Sequence, residues 1–141
     1  MKFAILKSKF NPEVTNGLLD GAKVYLTEQG IKEIDVFDAP GAFELPLLAQ
    51  ELAKTKKYDG IICLGAVIKG ETAHFEFISL GTSYGIMQAM LSTGTPISFG
   101  VLTTYNDEQA QARSKPNQEN KGIEAASACY ELACTLREIH K

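Results

Sequence analysis

Short, β-rich apolar runs alternate along the chain with longer stretches whose apolar residues return every three or four positions. The first run, Lys2–Leu6, gives way to a loop holding Asn11 and Pro12. Val14, Leu18, Ala22 and Leu26 then stand four apart, which predicts a helix over Val14–Gln29 stopped by Gly30. Glu33–Phe37 reads as the second strand and is followed by the breaker Ala39-Pro40-Gly41. Leu45, Leu48 and Leu52 put one apolar face on a helix over Ala42–Thr55. Gly60–Ile68 is almost continuously apolar, the pattern of a strand buried on both faces. Thr72–Ser92 predicts a third long helix, parted by Thr93-Gly94-Thr95-Pro96 from a strand over Ile97–Thr103. A short helix over Asp107–Arg113, a polar loop over Ser114–Asn120 and a last helix over Lys121–Ile139 complete the chain. In that last helix Ala126, Tyr130, Ala133 and Leu136 turn inward.

This alternation implies a single α/β domain over residues 1–141 with three αβα layers, flavodoxin-like in form. A four-stranded parallel sheet with right-handed crossovers is then flanked by helices on both faces. In open sheets of this kind ligands bind beyond the carboxyl ends of the strands. That rule selects the loops Lys7–Pro12, Asp38–Glu44, Ala66–His74 and Thr103–Asp107.

Composition narrows the partners. With 45% hydrophobic and 22% charged residues the chain is an ordinary globule, not a disordered or collagen-like one. Fourteen basic against seventeen acidic residues leave a net charge of −3, and the only arginines are Arg113 and Arg137. No basic stripe exists, so nucleic acid is not an expected partner. The three cysteines, Cys63, Cys129 and Cys134, form no C-x-x-C pair, which points to buried thiols and neither a disulfide framework nor a metal site. The apolar stretch within Met1–Lys9 is too short for a signal peptide, and no run approaches membrane-spanning length. The expectation is a cytoplasmic protein that binds no membrane.

The selected loops hold the unusual residues. Two glycines, Gly65 and Gly70, bracket a stretch ending in Lys69, before Glu71, Thr72 and His74 open the third helix. Each glycine alone is equally turn chemistry, and a lone histidine is most often solvated. Together at one helix entrance, free N–H groups, the helix dipole and the Thr72 hydroxyl make an anion site. His74, read as one turn into that helix, adds an imidazole able to move protons near neutrality. His140, near the C-terminus, and Lys115 read as solvated.

The blocks run in order: Phe10-Asn11; Pro40-Gly41-Ala42-Phe43-Glu44-Leu45-Pro46; Gly65 to His74 with Phe75-Glu76; Phe99-Gly100-Val101 with Thr103-Thr104; Glu108-Gln109-Ala110 with Arg113; and Asn120-Lys121-Gly122. In that order and spacing they resemble the lumazine synthases over essentially the whole chain. The resemblance implies condensation of 5-amino-6-(D-ribitylamino)uracil with 3,4-dihydroxy-2-butanone 4-phosphate to 6,7-dimethyl-8-ribityllumazine, the penultimate step of riboflavin biosynthesis. Phosphate and water are released, and no metal or organic cofactor is needed. It implies that Phe10 stacks on the pyrimidine, that Ala66, Val67 and Ile68 read its edge through their backbone, and that Ala42, Phe43 and Glu44 hold the ribityl side. Glu71 and Thr72 would bind phosphate through backbone amides, Arg113 would clamp it, His74 would transfer protons, and Phe99 and Lys121 would complete the pocket. Departures from the family pattern stand at Gly81, Asn117 and Glu119.

Three other readings compete. A receiver-like module needs an Asp where the third strand ends in Leu64-Gly65-Ala66. A riboflavin-synthase-like enzyme, binding two lumazines, has no use for Arg113 and the Gly70–Thr72 turn. A flavin- or lumazine-binding module would use the same aromatic slot.

The resemblance further implies a homo-oligomer in which a neighbour supplies Phe99 and Arg113. The expected form is a ring of five, with a shell of about 60 subunits as the larger possibility. A fourth strand and last helices at one edge, away from the Phe10 loop, fit that arrangement. Ile86, Met87, Ala89, Met90 and Leu91 make the third helix apolar on more than one side, as for a helix with a partner or one deep in the core. Only Met1 precedes the first strand, which favours the isolated pentamer over the shell.

Overall fold

A computed structural model describes residues 1–141. The strands are β1 (Lys2–Ser8), β2 (Glu33–Ala39), β3 (Gly60–Ile68) and β4 (Ile97–Thr104). The helices are α1 (Pro12–Glu28), α2 (Leu45–Lys54), α3 (His74–Thr93), α4 (Asp107–Ala112) and α5 (Lys121–Ile139). All pairings are parallel and the sheet runs β2-β1-β3-β4, so the expected three-layer α/β architecture is present.

Boundaries shift where local chemistry outweighs the apolar pattern. β1 and β2 run on to Ser8 and Ala39, because Lys7 pairs in register with Asp38 and Ser8 with Ala39. The Lys7 ammonium lies 3.6 Å from the Asp38 carboxylate, so two polar residues extend the ladder. α1 starts earlier than its apolar repeat, with Pro12 in its first turn, where a missing N–H costs nothing. The helix expected over Ala42–Thr55 divides. Leu45 N–H bonds the Ala42 carbonyl in a single 3₁₀ turn over Ala42–Glu44. Pro46, lacking an N–H, cannot continue the ladder back to Ala42, and α2 starts anew at Leu45.

The sheet divides two cores. On one face Phe3, Ile5, Ile62 and Leu64 pack with Val14, Leu18 and Leu26 of α1 and Ala126 and Cys129 of α5. On the other, Leu6, Ile61 and Val101 pack with Leu45 and Ala49 of α2 and Ile86 and Ala89 of α3. Each fully buried leucine, such as Leu18 or Leu26, is worth roughly 1.5–3 kcal/mol of transfer free energy. β4 is one edge of the sheet and β2 the other, and the last helices lie on the β4 side as expected: α4 packs on β4, and α5 packs over β3 and β4 beside α1. Gly122 permits that approach, because a Cβ there would fall on the Leu18 carbonyl.

α3 is not a deep core helix in this chain. Thr82, Ile86 and Ala89 are buried, whereas Phe77, Leu80, Tyr84, Met87 and Leu91 are exposed.

Candidate active site

The carboxyl ends of β1, β2 and β3 open into a cleft of about 510 Å³. Phe10, Ala42, Phe43, Glu44, Ala66, Val67, Ile68 and His74 line it, eight of the residues singled out in the sequence. Phe10 is aimed by its neighbour. Asn11 adopts the left-handed conformation (φ 55°), and its carbonyl accepts from the Val14 and Thr15 N–H groups. Its amide nitrogen crosses to the Ala66 carbonyl at 3.1 Å, so the end of β1 is tied to β3 and Phe10 projects into the cleft. A Cβ on Gly41 would stand 3.1 Å from the Phe10 ring and from Glu44 Oε1, so glycine lets both side chains close over that turn. The result is an aromatic platform with a backbone edge of β3 beneath it and one carboxylate beside it.

Asn11 and Ile78 also line the cleft and were not among the expected site residues. Ile78 follows His74 by four positions on α3, so helical spacing alone could have found it.

The turn before α3 differs from expectation. His74 is the first residue of the helix, not one turn inside it. The Thr72 hydroxyl accepts from the His74 N–H at 3.4 Å, a local bond that holds Thr72 and Ala73 in a turn and delays the helix. Glu71 and Thr72 are exposed on that turn and do not line this cleft.

Phe99, Arg113 and Lys121 lie elsewhere. They border a separate groove of about 310 Å³ between the edge strand β4 and the start of α5. Phe99 shares the strand face of Val101, which is in the core, but is itself exposed at the open edge. Arg113 caps the end of α4, where its Nη1 donates to the Gln109 carbonyl at 3.0 Å. The Lys121 N–H donates to the Arg113 carbonyl at 2.8 Å, which sets both cationic side chains on one turn. Buried Asn120 locks that turn. Its Oδ1 accepts from Gly122 N and its Nδ2 donates to the Lys115 and Gly17 carbonyls. The Lys121 ammonium also pairs with Glu124 at 2.7 Å. Arg137 is remote from all of this and pairs with Asp59.

One chain therefore carries an aromatic cleft and a cationic groove as two open depressions that share no residue. A family model described as 6,7-dimethyl-8-ribityllumazine synthase matches residues 1–137. The chain belongs to the lumazine synthase family. It is 61% identical to 6,7-dimethyl-8-ribityllumazine synthase 1 of Caulobacter vibrioides, across 99% of this chain and 93% of that protein. It is 50% identical to 6,7-dimethyl-8-ribityllumazine synthase of Syntrophus aciditrophicus, across 99% of this chain and 92% of the relative. Within this lumazine synthase fold no helix is long and apolar enough to cross a membrane. No group of three or more His, Cys, Asp or Glu side chains is disposed to hold a metal ion.

Proposed function

We propose that the cleft of one chain and the groove of a neighbour close into one active site. There this transferase condenses 5-amino-6-(D-ribitylamino)uracil with 3,4-dihydroxy-2-butanone 4-phosphate to 6,7-dimethyl-8-ribityllumazine. The observation that carries the reading is the division of the machinery. Phe10, Phe43, Glu44 and His74 sit in one depression, and Phe99, Arg113 and Lys121 in another at the open β4 edge.

In this reading the Phe10 ring takes the flat face of the pyrimidine. The Ala66–Ile68 backbone reads its edge, and Ala42, Phe43 and the Glu44 carboxylate hold the ribityl chain. The amides of Glu71 and Thr72 meet the phosphate from one side, and Arg113 grips it from the other with its planar fork, with Lys121 alongside. Joining an amine to a ketone, expelling phosphate and closing the second ring each require a proton to move. His74 is the side chain in the cleft suited to exchanging it.

Assembly follows from the same surfaces. The exposed apolar residues Phe77, Leu80, Tyr84, Met87 and Leu91 on α3, with the open β4 edge, suit a homo-oligomer, and a five-membered ring is the form we assign. We place the enzyme in the cytoplasm, where buried thiols such as Cys63 and Cys129 stay reduced.

Two experiments test this. Turnover of the pyrimidine with the ketone phosphate, but not of lumazine alone, separates this reaction from a riboflavin-synthase-like one. Co-expression of a Phe10→Ala/His74→Ala chain with a Phe99→Ala/Arg113→Ala chain tests the shared site. Mixed assemblies regain activity at interfaces that pair the two intact halves. Activity no higher than that of either variant alone, or full activity in a particle of monomer mass, sinks the shared site.

A further inference from the structure

Tyr105, just past the end of β4, is exposed and borders neither the cleft nor the groove. Its ring nevertheless meets two residues that flank the turn before α3. The Lys69 ammonium lies 5.7 Å from the ring centroid. The Phe75 ring packs at 6.1 Å between centroids, the planes inclined by 44°. Both separations fall where an aromatic ring attracts a cation or a second ring. Lys69 and Phe75 stand at the two ends of Gly70-Glu71-Thr72-Ala73, and Phe75 directly follows His74.

Backbone bonds hold only the two ends of that turn, where the Lys69 N–H donates to Thr104 and the Ala73 carbonyl accepts from the Glu76 and Phe77 N–H groups. Nothing comes within 4 Å of the place a Cβ would occupy at Gly70, and the only side-chain bond is the 3.4 Å one from the His74 N–H to Thr72. Tyr105, by contrast, is anchored. Its N–H donates to Gln109 Oε1 at 2.8 Å, and the Gln109 N–H donates to Asn106 Oδ1 at 2.8 Å. The preceding residue, Thr104, accepts the Lys69 N–H at 2.9 Å.

We propose that Tyr105 is a positioning residue for the phosphate end of the ketone substrate. Its ring clamps both ends of the Gly70–Ala73 turn and so fixes the backbone amides that meet the phosphate. This deepens the assignment of that turn and Arg113 to the phosphate, and rests on it. The contacts are made by the ring, and no hydrogen bond engages the hydroxyl, so the hydroxyl is dispensable.

Steady-state kinetics in both substrates test the idea on Tyr105→Ala, Tyr105→Phe and Arg113→Ala. Loss of the ring raises the KM for the ketone phosphate about two- to fivefold. The KM for the pyrimidine and the melting temperature stay unchanged, and Tyr105→Phe behaves as the parent. If Arg113→Ala raises the ketone phosphate KM and Tyr105→Ala does not, or shifts both substrates alike, the clamp is refuted and the phosphate assignment survives. If Tyr105→Phe is as damaging as Tyr105→Ala, a ring clamp is likewise refuted. If Arg113→Ala also leaves that KM unchanged, the phosphate assignment falls and the proposal with it. The chain contains no tryptophan, so Tyr105→Trp keeps an aromatic face and adds a single fluorophore. Its emission should change on titration with inorganic phosphate, and a flat response refutes the clamp.

Discussion

Both ends of the sheet carry charged and aromatic side chains and treat most of them in opposite ways. At the amino end of the strands the polar groups satisfy one another. Lys2 Nζ lies 3.3 Å from Asp35, the Tyr58 hydroxyl donates to the same carboxylate at 2.6 Å, and the Lys2 N–H donates to Asp59 at 2.8 Å. Arg137 joins Asp59 at 3.2 Å. The Tyr58 hydrogen bond, then Lys2, holds the Asp35 carboxyl below the usual range. The same bond, with burial, pushes the Tyr58 phenol up to about 12. At the carboxyl end Lys7 still pairs with Asp38 and Lys121 with Glu124, but Phe10, Phe43 and His74 stand exposed, and the Arg113 fork touches only one carbonyl of its own helix. Mutual satisfaction ties strands together but leaves nothing for a ligand, whereas unpaired groups are available to one. The comparison predicts that substitutions at one end change kinetics and at the other stability, with little crossover.

The largest expected effect is His74→Ala. The catalytic rate falls by about 10²-fold, the low end for proton-transfer catalysis because imine formation proceeds in part without help. The melting temperature stays where it was. Unchanged turnover in the purified variant removes His74 from the mechanism. Arg113→Ala comes next. Loss of a charge-assisted hydrogen bond raises the KM for the ketone phosphate roughly ten- to a hundredfold, with the pyrimidine little affected. Arg113→Lys recovers only part, since a point charge cannot make the fork. Equal effects on both substrates place Arg113 outside the phosphate pocket.

At the opposite end, Tyr58→Phe should leave both KM values alone and lower stability modestly. The deficit depends on pH in a definite way. Asp35 titrates lower in the fold than when unfolded, so its contribution is present above the ordinary carboxylate range and lost as pH falls through the depressed value. Tyr58 titrates higher in the fold, so its contribution is present below the ordinary value of 10.0 and lost as pH rises toward about 12. Denaturation curves at neutral, acidic and strongly alkaline pH should show the parent and variant converging at both extremes. A deficit independent of pH assigns the loss to packing alone.

What was legible in the sequence follows how local each signal is. β3 lies where its apolar run placed it, since a strand buried on both faces has no competing pattern. β1 and β2 run longer than their apolar residues because the extension is an ion-paired ladder between distant segments. The start of α3 moved because one hydroxyl accepts an N–H two residues on, a choice that residue spacing does not encode. Residues of the cleft were readable because strand-end loops converge in any sheet of this order. That Phe99 and Arg113 fall outside it depends on β4 being the edge. Asn11 reaching Ala66, and Tyr105 reaching Lys69 and Phe75, are contacts between loops and leave no periodic trace.

The smallest expected effect sharpens the comparison at its boundary, where a glycine inside a helix meets the cleft. Gly81 lies within α3, and a Cβ there would stand 3.1 Å from Cε1 of Phe43 and 3.6 Å from Cδ1. Glycine inside a helix costs about 0.5–1 kcal/mol relative to alanine, so Gly81→Ala gains helix stability on intrinsic grounds. The opposing contact is with the far end of a ring that is 58% exposed and free to tilt by a few tenths of an ångström. The intrinsic gain therefore wins, and the melting temperature should rise slightly. The tilted Phe43 ring should weaken pyrimidine binding by no more than about twofold, equivalent to a few tenths of a kcal/mol. Calorimetry and pyrimidine KM on the same preparation check both halves. A fall in melting temperature means that the Phe43–Gly81 contact is stiff, and that this residue of the cleft is held as firmly as the paired groups at the opposite end of the sheet.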